Sequence, residues 1–315
     1  MPDMIALVIA ALLAAPSFRE FDVPTPRAKP HDPTRAPDGA LWFTEQQADK
    51  LGRLDPRTGH IDEFPLPKGS GPHGLTADRD GNIWFTAISG EYIGRLDAKS
   101  HALKRHPMPE RGIDPHTPVF DARGILWFTA EQSGVVGRLD PATGEIRLRK
   151  VPTQHAVPYG IVVRADGVPW FCEFGSNKLA SIDPSTMAIT EHPLPAKDAR
   201  PRRIALAADG SLYYSDYARG YLGRFDPATG RQEEWPSPGG RSSKPYGIAI
   251  TADGIVWYSE SGVEPNTLVR FDPSTKQFTV TKIPSGGGVV RNMVATPEGE
   301  LYLAESGVNK VAIVK

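Results

Sequence analysis

Seven copies of one pattern fill this chain, spaced about 43 residues apart, and that period restricts the fold more than any local motif does. On a common frame the copies begin KPH at 29, GPH at 71, DPH at 114, VPY at 157, RPR at 200, KPY at 244 and VVR at 289. Each then runs through an Asp-Gly or Glu-Gly turn into a short apolar strand: LWFTE, IWFTA, LWFTA, PWFCE, LYYSD, VWYSE or LYLAE. Six continue through a turn of the GRLDPATG kind into a further strand such as EFPLP or EWPSP, and the last stops at NKVAIVK. Each unit therefore reads as four short antiparallel strands, a to d, punctuated by Pro and Gly at turn positions.

Four-stranded units of this size arranged radially make a β-propeller, which leaves only short edges exposed. The aromatic pair of each strand b is expected to pack between neighbouring blades. The seventh unit lacks strand d, while SFREFDVPTP at 17–26 matches IDEFPLPKG at 61–69. The N-terminal strand is thus predicted to complete the last blade. The fold class is all-β, a seven-bladed β-propeller over residues 18–315, with one domain because all units share one frame.

Net charge is −1, so no overall charge draws the chain to nucleic acid or to an anionic membrane. Residues 1–17 hold an apolar run from Met4 to Ala15, too short to span a bilayer and followed by small residues suited to cleavage. This predicts a signal peptide and a periplasmic or secreted monomer, or a cytoplasmic one if the segment is no signal. The single cysteine, Cys172, is expected to be a buried small hydrophobe.

Strands a and b are antiparallel, so the start of a and the end of b should ring one mouth of the central channel. The first ring reads His31, His73, His116, Tyr159, Arg202, Tyr246 and Arg291. The second reads Glu45, Ala87, Ala130, Glu173, Asp216, Glu260 and Glu305, with Asp114 and Glu131 beside it in blade 3. Imidazoles, guanidiniums and carboxylates converging on one concavity make a candidate small-molecule or metal site. His60, His101, His106, His155 and His192 fall in outer strands or loops and read as solvated surface.

The repeat G-P-H-G-x-T, x-I-W-F-T, I-G-R-L-D and E-F-P-L-P resembles that of the virginiamycin B lyases, or streptogramin lyases, from residue 18 onward. That resemblance implies a seven-bladed propeller that opens a cyclic depsipeptide by elimination across an ester carbon–oxygen bond. It implies His116 as general base, His73 as supporting imidazole, and Asp114 and Glu131 as acids around a magnesium ion. The constellation sits in blades 2 and 3 rather than in the family's last two, and Asp114 replaces a longer glutamate. Arg202, Arg203 and Arg291 across the channel favour an anionic guest. The alternatives are a non-catalytic exported propeller binding a small anionic ligand or a protein partner, and a calcium-dependent gluconolactonase-like propeller.

Overall fold

The computed structural model describes residues 15–315; the signal-peptide reading falls mainly on residues 1–14 and lies outside them. Twenty-eight strands form seven four-stranded antiparallel sheets, and no helix occurs among the described residues. Blade 1 is typical, with strand a Pro30–Arg35, b Leu41–Glu45, c Lys50–Leu54 and d Ile61–Pro65. Blade 7 takes its a, b and c strands from Val290–Ala295, Leu301–Glu305 and Lys310–Val314, and its outer strand from Phe18–Asp22. Phe18 pairs with Val314 and Asp22 with Lys310, so the ring closes as the sequence predicts.

The strand-b aromatics divide between the two faces of each sheet, as period-two alternation requires. Trp42 packs toward blade 2 with Leu75 and Phe85, while Phe43 packs toward blade 7 with Tyr302 and Val311. The glycine of GRLD has a steric cause. A Cβ on Gly52 would lie 2.1 Å from Cζ of Phe43, so the bare backbone of strand c makes room for that ring. The aspartate of the same motif caps the turn: the Asp55 carboxylate accepts from the Arg57 amide at 2.9 Å. Cys172 is fully buried beside Leu179 and Leu212, as expected.

Two histidines differ from expectation. His106 is buried and stacks on Trp84, and His192 is half-buried and stacks on Trp170. Both lie on outer strands, where a flat ring shields the neighbouring indole face.

Candidate functional site

Every strand a carries a bulge at its entrance. In blade 1, Pro30 pairs with Glu45 and Pro33 with Phe43, so three steps on strand a oppose two on strand b. The same shift recurs in the other six blades. The extra residue re-aims the strand and lets two consecutive side chains reach the channel. It also frees one backbone N–H, which the strand-b hydroxyl satisfies. Thr86 Oγ1 accepts from the Gly74 amide at 2.9 Å and donates to the carbonyl of His116 in the next blade at 2.7 Å. Thr44, Thr129, Ser215 and Ser259 do the same between their own blades and the next. The small hydroxyl residue of W-F-T is therefore the spacer that sets one ring residue against its neighbour.

The expected first ring forms. His31, His73, His116 and Tyr159 stack in a row with successive centroids 3.8, 3.8 and 4.2 Å apart. Burial, then the neighbouring imidazoles and guanidiniums, hold all three histidines well below their usual pKa, so they are neutral at pH 7. On the other side, the Arg202 guanidinium lies among four rings, 3.8 Å from Tyr246, 4.5 Å from Tyr217, 4.6 Å from Phe174 and 4.8 Å from Tyr159. The Tyr159 and Tyr246 hydroxyls hydrogen-bond across the channel.

A second layer comes from the residue after each ring residue, a position whose importance the sequence reading missed for Asp32 and Thr117. Arg203 reaches from blade 5 to Asp32 of blade 1 at 2.7 Å and to Thr117 of blade 3 at 3.3 Å. Asp32 also contacts His31 Nδ1 at 2.9 Å, and both partners of the Arg203–Asp32 pair are buried. The signal was present in the frame: this position is glycine in GPHG, VPYG and KPYG but Asp, Thr and Arg in KPHD, DPHT and RPRR.

The second predicted ring is displaced by one residue. Thr44 faces the following blade, so alternation turns Glu45 to the opposite face, into the seam with the preceding one. Glu173, Asp216, Glu260 and Glu305 follow. Glu173 accepts from Ser176, Asp216 from Arg219, Glu260 from Ser237 and Thr267, and Glu305 from Ser285. All four are buried and do not line the mouth; Glu260 and Glu305 tie their blades to the segment leaving the preceding one, at Ser237 and Ser285. The next position along does: Glu131, Phe174 and Tyr217 occupy it in blades 3, 4 and 5. Phe174 and Tyr217 are half-buried there, around Arg202.

Glu131 reaches His116, its Oε2 3.4 Å from Nε2. Burial pushes its carboxyl pKa up and Asp114 adds to this, against the pull of Arg202. The His116 Nδ1 is held by Thr117 Oγ1 at 2.8 Å. Asp114 accepts from the Gln132 and Ser133 amides at 2.7 and 2.9 Å, which fixes the turn that presents Glu131. Arg291 sits beside His31 and lowers its pKa. Another group of possible cation ligands, His31, Asp32 and His73, has donor atoms within 4.8 Å of one another. It suits magnesium poorly, with two nitrogen donors and a carboxylate already paired with Arg203. Asp114 and Glu131 match magnesium by donor type, since both offer carboxylate oxygens.

The molecule is thus a seven-bladed propeller with a polar, histidine-rich mouth facing an arginine held among aromatic rings. The sequence model of the virginiamycin B lyase family matches residues 6–260, and the chain belongs to that family. A virginiamycin B lyase from Bordetella pertussis is 42% identical over 52 residues, a stretch spanning 16% of this chain and only 17% of that protein. Solved structures resemble it over nearly its whole length. A streptogramin B lyase superposes with a TM-score of 0.88 at 25% identity, covering 95% of this chain and 97% of that one. The virginiamycin B lyase from Staphylococcus aureus superposes with a TM-score of 0.87 at 24% identity, covering 96% and 99%.

Proposed function

We propose that this chain is a metal-assisted carbon–oxygen lyase that opens an ester or lactone ring of the streptogramin B type at the channel mouth. The observation that carries the reading is the fixed, neutral imidazole of His116, with Thr117 on one nitrogen and Glu131 on the other. Elimination needs a base beside a carbon acid. The imidazole Nε2 takes the proton from the carbon next to the one bearing the ester oxygen. The released electron pair forms a carbon–carbon double bond while the carbon–oxygen bond breaks, leaving a carboxylate and adding no water. His73, stacked on His116, holds that ring in place. The Glu131 carboxylate, 3.4 Å from Nε2, lies where it can accept a hydrogen bond from the imidazolium once Nε2 holds the proton.

Asp114 and Glu131 would hold the magnesium ion, which, when bound, would polarise the ester carbonyl against the charge growing on it. Phe174 and Tyr217, both half-buried, give the facing wall the aromatic surface that a large, partly apolar ring requires. Incubation with a streptogramin B, followed by mass spectrometry with and without EDTA, tests the reading. Ring opening without a mass increase of one water, lost with EDTA and in His116→Ala, is expected. No turnover, a hydrolysed product, or full activity in His116→Ala would defeat it.

A further inference from the structure

We propose that Arg27, Lys29 and Arg291 form an anion-binding pocket at the junction of blades 7 and 1, selective for a phosphate or carboxylate group. The three cations line a cavity of about 290 Å³ with Gln47, Gly288 and Ser306, and no Asp or Glu lines it. Among the described residues none of the three enters an ion pair, and the buried Arg291 Nε has no hydrogen-bond partner. Another arginine-rich cavity shows the contrast. Arg19, Arg35, Arg53 and Arg57 share theirs with Asp38, Asp55, Glu298 and Glu300, and Arg35 pairs with Glu298 at 2.6 Å.

Uncompensated like charge is costly to gather, and the chain as a whole carries a net charge of only −1. Burial and the Arg291 charge both push the Lys29 ammonium toward losing its proton, so the two cations already act on each other. An anion entering between them removes that repulsion and supplies acceptors for the guanidinium forks. Phosphate and carboxylate both match such forks, while Lys29 adds a point charge. The pocket borders the ring at His31 and lies away from His116 and Glu131, so its occupancy does not depend on turnover.

Calorimetric titration of the full chain with inorganic phosphate, and separately with succinate, at pH 7 and constant ionic strength tests this. Saturable binding of at least one is expected, weakened about tenfold or more in Lys29→Met and in Arg291→Gln. Lys282→Gln, at an exposed site on the outer strand of blade 6, should bind as the wild type does. Binding of phosphate alone marks a phosphate-bearing ligand, and of succinate alone a carboxylate. No saturable binding of either, or binding equal in all three variants, overturns the proposal. Thermal unfolding verifies that each variant is folded, and removing an unpaired cation should not lower its midpoint.

Discussion

The Arg203–Asp32 pair crosses the channel between blades 5 and 1, so its removal tests whether the ring is fastened through its centre. Both side chains are almost fully buried and their charged atoms lie 2.7 Å apart. Asp32→Ala leaves the Arg203 guanidinium buried beside Thr117 and three neutral histidines, with no counter-charge. Breaking such a pair from one side costs about 3–5 kcal/mol. In a chain of this size that lowers the melting temperature by roughly 5–8 °C. Urea unfolding followed by tryptophan fluorescence should show a lower midpoint with an unchanged slope. Arg203→Met should cost a similar amount, because it strands Asp32. Replacing both, as Asp32→Leu with Arg203→Met, should recover most of the loss, since apolar side chains of similar volume often match a buried pair. If Asp32→Ala costs under about 1 kcal/mol, or if the double variant loses the sum of the singles, the pair is no staple.

Three further outcomes follow from packing and charge. Gly52→Ala drives a methyl into the Phe43 ring and should destabilise by about 1–3 kcal/mol or more in urea; a cost near zero would show that strand c can shift. Thr86→Val keeps the volume but strands the Gly74 amide and the His116 carbonyl, and should cost about 1–3 kcal/mol. Burial pushes the Glu45 carboxyl up to about 8, with Glu63 adding to it. The folded chain therefore keeps a proton that the unfolded chain releases near 4.5, so this stabilisation is complete at low pH and fades as pH rises through about 8. Glu45→Gln should make the decline between pH 5.5 and 8.5 shallower, and an unchanged profile would contradict a buried protonated carboxyl. The three ring histidines act with the opposite sign, withdrawing stability as pH falls below 6.5, and that limb should survive the substitution.

The repeat made the architecture readable because its period, turn residues and missing last strand are all properties of the string itself. The strand-a ring was readable for the same reason, as the position after the motif proline varies while its surroundings hold. The strand-b ring was misplaced because being at the mouth and pointing into it are separate conditions. Pleating sends Glu45, Glu173, Asp216, Glu260 and Glu305 into seams, and only the residue one step beyond clears the sheet. Glu131 already stood out for lying at that later step, whereas Phe174 and Tyr217 share it without an unusual residue type to mark them. Asp32 and Thr117 depart from glycine in the frame, but their reach to the axis depends on the bulge, which no periodicity announces and which brings a second side chain per blade inward. Arg203 could be seen as facing the site, but not that it spans the channel.

The borrowed outer strand of blade 7 sets a clock on folding. Phe18–Asp22 leaves the ribosome early, yet its partner Lys310–Val314 comes last. At ordinary synthesis rates of about 5–20 residues per second, that strand waits roughly 15–60 s without its pairing edge. Its sequence, FREFD, suits the wait: Arg19, Glu20 and Asp22 interrupt the two phenylalanines and discourage pairing with another chain. Until the final strand arrives, six blades can stack but the ring stays open. The histidine row of blades 1 to 3 and the arginines of blades 5 and 7 would then meet only once Lys310–Val314 is in place.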